Sequence, residues 1–311
     1  MIGVVGAGAF GTALAVVEAR AGRRVTLWGR GAAGPPATGA RLPGLALPPE
    51  VALTGDLGAL AGAEAVLLAL PAQASAGFLA ERGAELPDAP LVLCAKGIDA
   101  RNFRLQSEIA ASPGRALAAL TGPGFASEIA RGLPTALTLA CADARLGARL
   151  QAALATPVLR LYLSEDIIGA QLGGALKNVV AIGCGMVEGA GLGHSARAAL
   201  MTRGFAEMVR LAVAMGARAE TLAGLSGLGD LSLTCNSPQS RNFALGQALG
   251  IGGALPTGTV EGVATARAAC QLAAARGVEL PIAMAVADVL DGRATLERAI
   301  EALMARPLKE E

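Results

Sequence analysis

Short β-type runs alternate with helical patterns through the first half of this chain and then stop. The runs IGVV, RVTLW, AVLLAL, PLVLCA, ALAAL, TALTLA and VLRLYL follow one another up to Leu163. Strands alternating with helices imply a parallel sheet covered on both faces, an α/β fold. From Ser164 onward the sequence reads as helices punctuated by glycine. Ser164 is the expected N-cap, with Glu165 and Asp166 in the first turn facing the positive helix end. The domain boundary is expected near that point. Residues 29–50, rich in glycine and proline, read as loop.

At 311 residues and 53% hydrophobic, the chain is long enough for a large core and for two domains. A net charge of +1, with no terminal run of lysine or arginine, argues against a nucleic-acid partner. Cys94, Cys141, Cys184, Cys235 and Cys270 are far apart and form neither a disulfide framework nor a C-x-x-C site, so no metal is expected. The N-terminal MIGVVGAG enters a strand pattern without a charged leader, and with these cysteines a reducing cytoplasm is the expected compartment. The longest apolar runs are broken by Glu64, Pro71 or Lys177, so no membrane span is expected.

The first strand leads into VVGAGAFGTALAVVEARAG, which places Gly6, Gly8 and Gly11 in a G-x-G-x-x-G opening a helix. Gly6 permits the tight turn, Gly8 lets the backbone approach a pyrophosphate, and Gly11 lets helix and strand pack closely. The helix N-terminus supplies N–H groups to the anion. An acidic residue about 20 positions on would grip the ribose 2′-hydroxyl of NAD, yet none occurs between Glu18 and Glu50, and VTLW is followed by Gly29 and Arg30. An arginine there takes a 2′-phosphate or stacks on adenine, so NADP(H) is expected to be accepted. The plainer reading of Arg30 is a solvated loop residue.

Among the 26 lysines and arginines, only Lys96, Lys177 and Lys309 are lysine. Lys96 closes LVLCAKG, at the sheet edge where open α/β folds place their ligands. Lys177 lies in the apolar GAQLGGALKNVVAIGCGM, with Gly173 and Gly174 one turn before it. Two glycines there suit the close approach of a ligand, or of another backbone, given the G-x-x-x-G spacing of Gly169 and Gly173. Ligand access is the preferred reading. Lysine, unlike arginine, loses its proton when burial or a like charge lowers its pKa. The single histidine, His194, sits in GAGLGHSAR, which reads as a turn, and is the weaker candidate base. Downstream, LSGLGDLSLTCNSPQSRNFALG gathers Asp230, Thr234, Asn236, Ser240, Arg241 and Asn242. Ser-Arg-Asn before a helical run suits an anion, or an ordinary capped helix with a surface arginine.

Together these segments closely resemble the bacterial NAD(P)-dependent glycerol-3-phosphate dehydrogenase family. GAGAFGTALA, AKG, TGPGFASEIARGLPTA, QLGGALKNVVAIGCGM, ARAALMTRGFAEM, GLGDLSLTC, SRNFALG and VEG occur in the family's order. The resemblance implies a Rossmann domain over residues 1–164, an all-α substrate-binding domain over residues 165–311, and an active site between them. It also implies interconversion of dihydroxyacetone phosphate and sn-glycerol 3-phosphate with NADP(H) or NAD(H), supplying phospholipid synthesis. Lys177 would be the general acid and base, Lys96 and Asn178 would polarise and position the oxygen at carbon 2, and Asp230 and Thr234 would hold the site. Arg241 and Asn242 would take the phosphate, with Ser240 and the Gly122 backbone helping. Cofactor contacts map to Ala9, Phe10, Arg30, Gly31, Lys96, Arg241, Thr259 and Glu261, with Ala126 on the nicotinamide side.

The sequence departs from the family at Gly124, where serine is usual among the substrate contacts, at Ser195, where asparagine is common, and at Arg41, where a tyrosine often meets the cofactor. One rival is a two-domain dehydrogenase of the β-hydroxyacid or 6-phosphogluconate type, which separates its lysine and asparagine by a helical turn, whereas Lys177 and Asn178 are adjacent. Another is a non-catalytic NAD(P) sensor, which would not need Lys96, Lys177 and Arg241 together. The glycine- and alanine-rich helical half would suit a flat face buried in a homodimer.

Overall fold

The computed structural model describes residues 1–31, 42, 44–255 and 258–305. Strands β1 (Ile2–Val5), β2 (Val25–Trp28), β3 (Val51–Thr54), β4 (Ala65–Leu68), β5 (Leu91–Leu93), β6 (Leu117–Thr121), β7 (Thr135–Ala140) and β8 (Leu159–Ser164) form one sheet. Their order is β3-β2-β1-β4-β5-β6-β7-β8. The chain reverses its direction of travel between β1 and β4, and such a switch point opens a crevice at the carboxyl ends of the strands. Helices α1 (Ala9–Arg20), α2 (Ala72–Arg82), α3 (Gln106–Ala110), α4 (Ala126–Arg131) and α5 (Ala144–Leu154) cover the sheet. Leu14, Ile129 and Leu150 pack with Ile2, Val4 and Leu120, while Phe78, Leu79 and Ala110 pack with Val5, Trp28 and Leu68. Strands covered on both faces read as continuous apolar runs, and β1, β2, β4 and β5 are buried along their whole length.

Two features depart from the sequence reading. β3 is an additional strand at the sheet edge, paired with β2 alone among the described strands. And β7 runs antiparallel to β6, although β8 returns parallel to β7. The intervening α4 has six residues. At about 1.5 Å per residue it spans roughly 9 Å, too little to carry the chain back along a strand of some 17 Å.

Beyond Ser164 every described element is helical: α6 (Ile167–Gly189), α7 (Gly193–Ala214), α8 (Ala219–Ala223), a π-helical turn (Leu225–Gly229), α9 (Asp230–Cys235), α10 (Arg241–Ile251), α11 (Glu261–Ala274), α12 (Pro281–Leu290) and α13 (Leu296–Met304). α6 starts two residues later than expected. Its N-cap is Asp166, whose Oδ1 accepts from Gly169 N at 2.7 Å, while Ser164 Oγ accepts from Asp166 N. α6 is long and apolar enough to cross a membrane by composition, but 89% of its apolar window is buried inside the protein.

α6 and α10 meet backbone to backbone through reciprocal glycines. A Cβ on Gly185 would lie 2.1 Å from Phe243 O and one on Gly189 2.2 Å from Gln247 O, while one on Gly246 would lie 1.9 Å from Ile182 O. This contact sets the N-terminus of α10 beside the middle of α6.

Candidate active site

The glycine motif forms a glycine-lined cradle between β1 and α1. Gly6 has φ +117°, and a Cβ there would lie 2.6 Å from Ala69 O. One on Gly11 would lie 2.1 Å from Gly6 O, so only glycine closes this turn onto α1. At Gly8 a Cβ would meet nothing within 4 Å. That open face, at a helix N-cap with no side-chain cap and no acidic residue in the first turn, fits an incoming pyrophosphate. Arg30 is exposed two residues past β2, with Gly31 exposed beside it.

At the other end of the cradle, Lys96 Nζ lies 5.8 Å from the centroid of the Phe10 ring. The same ammonium donates to Gly122 O and to Asp230 Oδ2, both at 2.7 Å. Gly122 has φ +136°, and a Cβ there would press on Leu137 Cα at 3.2 Å, so the carbonyl is aimed by a conformation that favours glycine. Lys177 Nζ donates to Asp230 Oδ1 at 2.8 Å and to Thr234 Oγ1 at 2.6 Å. One carboxylate thus joins two ammonium groups, in a place where Asp230 is 1% and Lys177 7% exposed. Burial pushes the Lys177 pKa down and Asp230 pulls it up, but the charge of Lys96 adds to the burial, and the result lies below the ordinary lysine value. Burial raises the Asp230 carboxyl, and the two lysines together outweigh it and hold it below the usual carboxylate range. A lysine whose pKa is lowered toward the working pH is present there in both protonation states, as a group that gives a proton in one direction and takes it in the other must be.

Asn178, adjacent to Lys177, spends its amide within the protein. Nδ2 donates to Lys96 O at 3.0 Å and Oδ1 accepts from Asn242 Nδ2 at 2.8 Å. Asn242 Oδ1 in turn accepts from Gly262 N at 3.0 Å. Ser240 is the N-cap of α10, its Oγ accepting from Phe243 N, and exposed Arg241 is the first helical residue. The expected anion seat is therefore a capped helix N-terminus with an exposed guanidinium, tied to Lys96 through two amides.

Glu261 opens α11, and its Oε1 accepts from Ala72 N, the first residue of α2, at 3.0 Å. Burial raises its pKa against the pull of that N–H and of Arg241. Ala126 opens α4, and Thr259 is exposed just before α11. Ala9 opens α1.

One expectation is corrected. Gly173 and Gly174 do not open a path for a ligand: a Cβ on Gly173 would lie 2.6 Å from Ser226 O, and one on Gly174 2.4 Å from Thr121 Oγ1. They admit the π-helical turn and β6. At Gly124 the methyl groups of Ile129 and Thr135 lie 3.0 and 3.2 Å from where a Cβ would stand, so a larger residue there requires those side chains to give way. His194 and Ser195 are exposed at the start of α7, and Arg41 lies outside the described residues. The sequence reading missed Ile98, Phe103 and Leu105, which follow Lys96 and join the core of the helical half; they read as ordinary loop apolars, and nothing in their spacing marks them.

A doubly wound sheet with a glycine cradle, a helical half and a buried Lys-Asp-Lys cluster between them defines a two-domain nicotinamide-dependent dehydrogenase. The family model for the NAD-dependent glycerol-3-phosphate dehydrogenase N-terminus matches residues 1–147, and that for the C-terminus matches residues 166–301. The chain belongs to this family. It is 56% identical to a glycerol-3-phosphate dehydrogenase [NAD(P)+] of Paracoccus denitrificans over all of this chain and 99% of that one. It is 58% identical to that of Cereibacter sphaeroides over the whole of both. The crystal structure of glycerol-3-phosphate dehydrogenase from Coxiella burnetii matches with a TM-score of 0.91 and 34% identity over 98% of each chain.

Proposed function

We propose that this chain reduces dihydroxyacetone phosphate to sn-glycerol 3-phosphate, and runs the reverse reaction, with NADP(H) or NAD(H). The observation that carries the reading is the pairing of Lys177 and Lys96 on one buried Asp230 carboxylate beside Phe10 of the cofactor helix. The dinucleotide, when bound, supplies the hydride to carbon 2. Lys177 passes a proton from Nζ to the oxygen on that carbon as negative charge develops, and takes it back in the oxidation. Lys96 places a second positive charge where the oxyanion forms. Asp230 fixes both ammonium groups, Thr234 that of Lys177, and Asn178 holds the main chain of Lys96. Ser240, Arg241 and Asn242 seat the phosphate, with the Gly122 and Gly124 backbone alongside. The product is a building block of phospholipid synthesis.

The division into domains over residues 1–164 and 165–311 is part of the same proposal, supported by the end of the sheet at Ser164. So is a homodimer, favoured by Leu192, Val213 and Met284, exposed on helical elements or beside them. All five cysteines are free and four of them are buried, which supports a reducing cytoplasm.

The test is loss of reduced-nicotinamide absorbance with dihydroxyacetone phosphate, using NADPH and NADH side by side and dihydroxyacetone as control. Oxidation that requires the phosphate is expected. Nucleotide binding without turnover would overturn the reading.

A further inference from the structure

The residues that follow Lys96 leave the sheet and enter the core of the other half. Ile98 and Leu105 are 0% and 3% exposed within the hydrophobic cluster otherwise built from residues 172–287, and Phe103 packs against it. Phe103 has φ +58°, the one non-glycine residue with positive φ among those described. A bulky residue holds that conformation only where its surroundings over-determine it. Here they do. Gln73 Nε2 donates to Ile98 O at 2.7 Å, and Gln73 Oε1 accepts from Ala100 N at 2.9 Å. The buried Asp99 accepts from Arg101 N and Asn102 N, and its carbonyl accepts from Phe103 N. At the far end Gln171 of α6 accepts from Ser107 N at 2.9 Å and donates to Ser107 Oγ at 2.8 Å.

We infer that residues 97–107 form a strap whose plug, Ile98, Phe103 and Leu105, makes Phe103 a positioning residue that holds Lys96 against Asp230 and Lys177. This rests on the reading of those lysines as the active-site pair. The two halves cannot part along this seam without drawing the plug from the helical core, so the Lys96–Asp230–Lys177 arrangement is assembled before substrate arrives.

The three lysines of the chain allow a direct test. With lysine labelled at 13Cε, the full-length protein gives three titrating signals, which substitution of Lys96 and Lys177 in turn assigns. Lys177 is faced by Asp230 and Cys235 from α9 and by Lys96 from the sheet edge, with Glu261 of α11 also within electrostatic reach. Retreat of Lys96 removes a like charge and leaves Asp230 to Lys177 alone, so the Lys177 titration moves upward. Phe103→Gly relieves the backbone conformation but removes the aromatic member of the plug. It is expected to raise the Lys177 titration and to lower kcat by about 10- to 100-fold, the cost of misplacing a catalytic group, with the KM for nucleotide unchanged. Phe103→Leu, which keeps an apolar plug, is expected to restore the titration. Gln73→Ala cuts both bonds to the turn without touching the core and is expected to move the titration in the same direction, which keeps the test alive should Phe103→Gly not fold. An unchanged Lys177 titration in a folded variant at either position would overturn the strap. Failure of the dehydrogenase reading shows separately, as no turnover by the unsubstituted chain, with the three titrations still readable.

Discussion

Asn242 Nδ2 donates to Asn178 Oδ1 across 2.8 Å, and through Asn178 the N-terminus of α10 is linked to the carbonyl of Lys96. Asn242→Ala leaves that oxygen and the Gly262 N–H without their partner. Each unmade bond costs about 1–3 kcal/mol. The expected result is a fall in kcat/KM for dihydroxyacetone phosphate of about 10- to 100-fold, with nucleotide affinity, read by fluorescence titration, near that of the unsubstituted chain. An unchanged kcat/KM would dismiss the link.

Lys177→Arg keeps the positive charge but removes the group that can lose a proton. Turnover is expected to drop by about 10²- to 10⁴-fold, the usual contribution of general acid–base catalysis, while NADPH still binds. Normal turnover in this variant would sink the assignment.

The depressed pKa of Lys177 fixes the sign of the pH profile. Reduction needs the ammonium, so its kcat/KM should fall as pH rises through the folded-state pKa, which lies below the ordinary lysine value. Oxidation needs the free amine and should rise over the same interval. Profiles of the two directions recorded on one preparation should therefore cross. Parallel profiles would remove Lys177 as the proton carrier.

The cradle glycines separate binding from folding. Gly8→Ala meets no protein atom, whereas Gly11→Ala drives a Cβ into Gly6 O. The first variant should melt like the unsubstituted chain yet lose roughly 10-fold or more in nucleotide affinity, about 1.4 kcal/mol. The second should lose about 1–3 kcal/mol of stability or more through overpacking. Calorimetry with and without NADPH distinguishes them, and equal melting losses in both would contradict the geometry.

Glu18, 1% exposed in α1 and paired with Arg23, is pushed by burial up to about 7, against the pull of that arginine. A carboxyl raised above its ordinary 4.5 contributes stability that is full below that value and is lost as pH rises through about 7. The swing is on the order of 3 kcal/mol. Glu18→Gln removes it, so the variant should gain on the unsubstituted chain between pH 5 and pH 8 in urea unfolding. An equal difference at both pH values would count against the shift.

How legible each part was in the sequence follows the range of the forces that set it. Gly6, Gly8 and Gly11 stood out because their constraint is local, and Lys177 because a charge in an apolar helix has a burial cost at its own position. β3 was hidden because a four-residue edge strand behind a Gly/Pro-rich segment buries one side of one residue fully and little else. The reversed direction of β7 was hidden because an apolar run looks the same read either way. Gly173 and Gly174 were misread because a glycine marks close approach without saying what approaches. The strap could not be seen at all, since the residue that anchors its far end lies more than 60 residues away on α6.

The glycines shared by α6 and α10 carry a consequence for how this scaffold tolerates change. Backbones in direct contact leave no side chain to shrink or enlarge, so the span from Lys177 to the capped N-terminus of α10 is set by main-chain radii and is insensitive to drift in the surrounding core. Neighbouring helices can exchange residues freely while the reach between the two ends of a three-carbon phosphate ester stays constant. A version of this protein adapted to a longer or shorter substrate would have to break the glycine seam first.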